Sequence, residues 1–247
     1  MRRRTAAIAI TIIISLALPA AGGCGTRDLS LSTCKDLPVV DYRSVKAISP
    51  AYNPTVPVVL VYQDGTVIKK QGPYQFISGK ISASQIDELL RTLDGYGFFG
   101  LNKVYTGKPL PGGARETLSV VILTGTYTTS TDRPATPANW DKIVKAVMAV
   151  PVPGGAAYVP DKIRLHATAA GPPEGAQVSA WPAGAPDLGA SAAQPDGMVV
   201  TGDTATTAWK ELNEGYSSGA AAEPYWSYGG AVYTVFASPV FTGVSPD

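Results

Sequence analysis

The chain has one histidine, His166, and two cysteines, Cys24 and Cys34, in 247 residues. A zinc centre made of His and Cys ligands needs three or four of them, so none can be assembled within one copy. Net charge is scarce too: 20 basic residues face 19 acidic ones, a formal charge of +1. That balance excludes the strong basic patch by which a nucleic-acid-binding domain is read. Beyond the first two dozen residues no apolar run approaches the ~20 residues that span a bilayer.

What the sequence does have begins at its first residues. Met1 is followed by Arg2, Arg3 and Arg4, then by an apolar run through Ile8, Ile10, Ile12, Ile13, Ile14, Leu16 and Leu18. Pro19 and small residues lead to Gly23. A basic start, a short apolar stretch and a small-residue end are the layout of a secretory signal. Residues 1–23 are expected to be removed. That leaves 224 of 247 residues with 17 basic groups (20 less three arginines) against 19 acidic ones, a net charge of −2.

The segment Ala21-Gly22-Gly23-Cys24 resembles the lipobox of bacterial lipoproteins, in which small residues precede an acylated cysteine. The family favours leucine three residues before that cysteine, and Ala21 stands there. The resemblance covers the signal and cut site only. It implies two or three acyl chains on Cys24 and a membrane anchor facing outside the cytoplasm. Cleavage after Gly22 or Gly23 without acylation gives a free secreted protein instead. An unacylated Cys24 can bridge Cys34.

Residues 24–36 are mostly polar and read as a tether. The first α+β domain or half is expected over 37–152. Val56–Tyr62, the Asp64-Gly65 turn pair and Thr66-Val67-Ile68 form a hairpin, with Pro57 suggesting an edge. Tyr74–Ile77 is a further strand. Ser82 and Gln85 have capping-box spacing, and Ile86, Leu89, Leu90 and Leu93 make one helical stripe that Gly95 ends. Leu118–Thr128 reads as one strand, and a second helix starts at Thr136-Pro137 and carries Trp140, Ile143, Val144 and Val147. The second half, 153–247, offers strands near Tyr158–Ala169, Gln177–Trp181 and Met198–Thr201. A third helix from Asp203 carries Ala205, Ala208, Trp209 and Leu212, and a strand at Ala231–Ala237 closes the chain. The predicted class is α+β, antiparallel sheet with three short amphipathic helices. One continuous sheet and two similar β-α-β halves are both open.

Several motifs resemble chemistry without its context. Gly95-Tyr96-Gly97-Phe98-Phe99-Gly100 fits G-x-G-x-x-G but follows a helix, where a dinucleotide loop must follow a strand. Gly215-Tyr216-Ser217-Ser218-Gly219 fits G-x-S-x-G, yet it too follows a helix and His166 lies upstream. Ser32-Thr33-Cys34-Lys35 sits in the tether, and Gly79-Lys80 is followed by Ile81 where a phosphate loop needs Ser or Thr. His166 shares a strand face with Arg164 and Thr168 and reads as solvent-facing. Glu88, Asp94, Glu116, Glu211 and Glu214 are the carboxylates from which a hydrolase pair would come, with nothing selecting two of them.

The best candidate binding feature is aromatic: Tyr225, Trp226 and Tyr228, with Trp181. Exposed, they form a ligand platform; buried, they are ordinary core. The expected role is a non-enzymatic, lipid-anchored module with no cofactor or metal, no nucleic acid, and an envelope protein or glycan as partner. The rivals are an envelope hydrolase working through carboxylates and an inhibitor presenting Tyr105–Gly113 or residues 182–197 as a rigid loop.

Overall fold

The computed structural model describes residues 27–46, 56–107, 113–217 and 224–244. The signal, the lipobox and Cys24 lie outside them. The α+β class is what the chain adopts: among the described residues there are two mostly antiparallel sheets and four α-helices, three of them at least seven residues long.

A strand hidden from the periodic reading comes first. β1 (Pro38–Lys46) mixes Asp41, Arg43 and Ser44 with Val39, Val40, Tyr42 and Val45, and its register shifts between Pro38 and Val40. β2 (Val59–Tyr62) and β3 (Thr66–Lys70) form the expected hairpin. Gly65 takes φ 83 at the turn, and a side chain there would run into the Ile81 carbonyl. Because β1 pairs along its other side, β2 is interior rather than an edge, and Pro57 lies ahead of its ladder. β4 (Phe76–Lys80) adds to β3.

α1 (Ala83–Gly95) has the predicted cap and stripe but ends later than predicted: Gly95 is still helical, Tyr96 caps it, and the left-handed residue is Gly97 (φ 81). The Ser82 hydroxyl accepts from the Gln85 amide at 3.3 Å, and the Gln85 side chain accepts from the Ser82 amide at 2.8 Å. Its buried residues are Ile86, Leu89, Leu90 and Leu93.

After the two-residue β5 (Val104–Tyr105) comes a correction. Leu118–Thr128 is not one strand but the middle of a hairpin, β6 (Ala114–Ile122) and β7 (Gly125–Asp132). Uniform β-favouring composition hid the break, whose only mark in sequence is Gly125. α2 (Trp140–Met148) begins later than Thr136-Pro137, because Asn139 takes a left-handed φ of 64 and separates the proline turn from the helix.

β8 (Ala156–Ala157) returns to the first sheet beside β4, so residues just beyond 153 still belong to it. β9 (Lys162–Ala169), β10 (Val178–Ala180), α3 (Leu188–Ala192), β11 (Met198–Thr201), α4 (Gly202–Ser217), β12 (Tyr225–Tyr228) and β13 (Ala231–Pro239) follow. The first sheet runs β5-β7-β6-β1-β2-β3-β4-β8 and the second β10-β12-β13-β9-β11, so the two do not repeat strand for strand.

Alternation explains the layering. On β2, Val59 and Val61 face a core shared with α1 and α2, while Leu60 faces the other way. Leu60, Ile68 and Phe76 join Ile163, Leu165, Trp209 and Val235 in a second core common to both sheets. Here the first sheet is buried on both faces. The expected tether also departs from prediction. Leu29 and Leu31 pack on the first core, and the Ser30 and Ser32 carbonyls accept from the Leu123 amide at 2.7 Å and the Gln63 side chain at 2.5 Å. Two leucines in a polar stretch were its only signal.

Candidate functional site: an open polar sheet face

The second core covers β2–β4 but stops short of β1, β6 and β7. Their uncovered face carries every second residue: Asp41, Arg43 and Val45; Arg115, Thr117, Ser119 and Val121; Thr126, Thr128, Ser130 and Asp132. Register aligns them in ranks across the three strands. Val45, Arg115 and Asp132 form one rank, Arg43, Thr117 and Ser130 the next, and Asp41, Ser119 and Thr128 a third. All of these but Asp132, together with Leu37, Pro38 and Gly243, line a cleft of about 680 Å³.

Hydroxyls bond across this floor. Thr117 and Ser130 lie 2.9 Å apart, as do Ser119 and Thr128. Both carboxylates are held by guanidinium groups. Arg43 donates from Nε (3.2 and 3.1 Å) and Nη2 (2.8 Å) to Asp41, and Arg115 donates from Nε to Asp132 at 2.7 Å. Hydrogen bonding from Arg115 holds the Asp132 carboxyl below its usual range. An ionised carboxylate so held is a poor proton donor near neutrality. Among the described residues no histidine or cysteine lines the cleft. The arrangement is equipped for hydrogen bonding to a polar ligand, and its charges cancel pairwise.

A second, smaller hollow of about 380 Å³ is lined by Tyr62, Asp64, Tyr158 and Asp161, among others. Lys80 bonds Asp64 at 2.7 Å and brings its carboxyl down to about 2; burial pushes the Tyr158 hydroxyl up to about 12. Among the described residues no group of His, Cys, Asp and Glu is placed to hold a metal ion.

The expected aromatic platform is corrected. Trp181 and Trp226 are buried, 6% and 1% exposed, with ring centres 5.8 Å apart edge to face. Their indole N–H groups donate to the Pro186 carbonyl at 2.8 Å and to Glu211 at 3.1 Å. Trp226 and Tyr228 share the inward face of β12, and Tyr225 lies on the opposite face, half-buried. With their N–H groups partnered, both tryptophans serve as core, and no four-ring surface exists. Three of the five named carboxylates are engaged apart from one another: Asp94 meets Arg27, Glu116 is buried under α2, and Glu211 serves Trp226. Residues 182–197 hold α3, whose Leu188 and Ser191 are buried, so they form no protruding loop. Of Tyr105–Gly113, residues 108–112 lie outside the described residues. The G-x-S-x-G residues Gly215–Ser217 end α4, with the remainder outside. Sequence reasoning missed the cleft floor, because register across three strands makes it.

His166 is half-buried rather than exposed. Its ring stacks on Phe236 at 4.6 Å, and Gly197 (φ 77) lies against it so closely that a Cβ would meet the ring at 2.6 Å. Burial, then Arg164, lowers its pKa; Asp196 acts in opposition. The unfolded chain therefore binds a proton more readily than the folded one. Stability is full above the unfolded value of about 6.5 and falls as pH drops through it. We expect a lower urea midpoint at about pH 5 than at about pH 8. The His166→Phe variant should show a flatter dependence; an unchanged slope contradicts the assignment.

Comparisons with protein-family models, with curated proteins and with solved structures found no match.

Proposed function

We propose that this chain is an exported lipoprotein, acylated at Cys24, whose globular part binds an envelope glycan in the cleft on β1, β6 and β7. The signal layout and lipobox resemblance support the anchor and the extracytoplasmic location. The observation that carries the binding reading is the cleft floor: ranked hydroxyls beside Arg43 and Arg115, each neutralised by an aspartate, Asp41 in the cleft and Asp132 next to it. Such a surface suits a neutral, hydroxyl-rich chain better than a strongly charged polymer, which would meet both signs equally. The same pairing holds Asp41 and Asp132 in ion pairs, which favours binding over hydrolysis here.

Ser119 and Thr128 lie centrally on this floor. Tryptophan at either position fills the cleft from its exposed side, where the fold has room. Calorimetric titration with soluble peptidoglycan fragments and neutral glucan oligosaccharides tests the reading. The wild type is expected to bind one of these classes, and Ser119→Trp or Thr128→Trp to weaken it by on the order of tenfold or more, about 1.4 kcal/mol. Binding that both variants leave intact, or none to any glycan, overturns the proposal.

A further inference from the structure

We infer that the end of the first sheet bearing the β6–β7 turn faces the lipid surface, with Leu123 at the headgroups, so that the cleft rises away from the membrane along its strands. The inference rests on the proposed acylation of Cys24.

Chain length sets the geometry. Two residues, Gly25 and Thr26, separate Cys24 from Arg27, and the three steps between them reach at most roughly 11 Å when extended. Arg27 is fixed on the globule. Its guanidinium lies 5.1 Å from the Phe99 ring centre and 5.2 Å from that of Tyr127, and 3.6 Å from Asp94. The next residues are fixed as well: Leu29 and Leu31 pack on the first core, and the Ser30 carbonyl accepts from the Leu123 amide at 2.7 Å. An anchor at Cys24 thus holds this end of the globule close to the bilayer, with no long spacer to let it turn.

The surface at this end fits a lipid interface. Leu123, at the turn between β6 and β7, is 52% exposed and lies outside both cores. Beside it the Tyr127 hydroxyl and that of Thr124 are 3.3 Å apart. An aliphatic tip next to a tyrosine suits the boundary between headgroups and acyl chains. The far end of the same two strands is charged, with Arg115 paired to Asp132. Ile122 lies seven residue steps along β6 from Arg115, about 23 Å. In the cleft, Val121 and Thr126 then lie nearest the membrane and Arg115, paired with Asp132 beyond the lining, farthest from it.

The test uses the full acylated chain carrying Cys34→Ser, with Thr124→Cys or Arg115→Cys bearing a fluorophore. Each is reconstituted in phosphatidylcholine–phosphatidylglycerol vesicles that contain a headgroup nitroxide lipid. Quenching several-fold stronger at 124 than at 115 is expected, and Leu123→Asp should reduce the quenching at 124. Equal quenching at both positions, or stronger quenching at 115, overturns the orientation while leaving the anchor intact. Flotation reads the anchor separately: a chain that does not float with vesicles overturns the acylation on which the orientation rests.

Discussion

Replacing Cys24 with alanine is expected to move the protein almost completely from the membrane fraction to the soluble fraction. Each buried acyl methylene contributes about 0.8 kcal/mol, and two chains hold firmly where one holds marginally. Among the described residues no helix is long and apolar enough to cross a membrane. The single exposed leucine at the β6–β7 turn is far too little to retain the globule alone. Fractionation of cells expressing wild type, Cys24→Ala and Cys34→Ala separates the alternatives. The Cys34 variant should stay with membranes, since its thiol is exposed and outside the proposed anchor. A Cys24→Ala chain that still sediments with membranes would remove the basis for the proposed location.

Truncating Glu116 is expected to cost about 3 kcal/mol of folding stability. This carboxylate, 6% exposed, lies between the first sheet and α2 and accepts three bonds. The donors are the Tyr42 hydroxyl at 3.0 Å, Trp140 Nε1 at 2.7 Å and Arg133 Nε at 3.0 Å. Burial, followed by the charge of Glu116, raises the Tyr42 pKa far above neutrality, so its hydroxyl stays a donor. Removing the acceptor leaves two buried donors without it and takes from Arg133 a partner that Asp141, at 2.9 Å, replaces only in part. Each lost bond to a charged group is worth about 1.5–3 kcal/mol, discounted here because Arg133 is partly exposed. Urea unfolding of Glu116→Ala should show this loss with an unchanged slope, and Glu116→Gln, which keeps one acceptor oxygen, should lose about half as much. A fall below about 0.5 kcal/mol for the alanine variant would mean that the three bonds to Glu116 contribute little to the fold.

The contrast between these sites shows what the sequence makes legible. The cap and stripe of α1 could be read because both are local: Ser82, Gln85 and four leucine or isoleucine positions lie within a dozen residues. The Asp64-Gly65 hairpin and the start of α4 near Asp203 are local in the same way. β1 was not legible. A shifted register blurs its alternation, and its outward residues are the polar ones that line the cleft. The cleft depends on Arg115 standing opposite Asp132 and Thr117 opposite Ser130, pairings set by a turn that Gly125 alone announces. The tryptophans were ambiguous for another reason. Residue type gives an amphipathic ring but not its side of the strand; the side follows from Trp226 and Tyr228 sharing one face of β12 over α4 and from Glu211 meeting the indole N–H. Glu116 was noticed as one carboxylate among several, yet its donors come from positions 42, 133 and 140, which only the folded sheet assembles.

The location, the orientation and the presentation of the cleft all depend on the N-terminal residue of the processed chain. Trypsin cuts after Arg27, so a chain processed before Cys24 yields Cys24-Gly25-Thr26-Arg27 as its first peptide. Mass spectrometry of that peptide from membrane-extracted protein is expected to show a diacylglyceryl thioether on Cys24. A bare thiol, a disulfide to Cys34 or a different first residue would contradict the account.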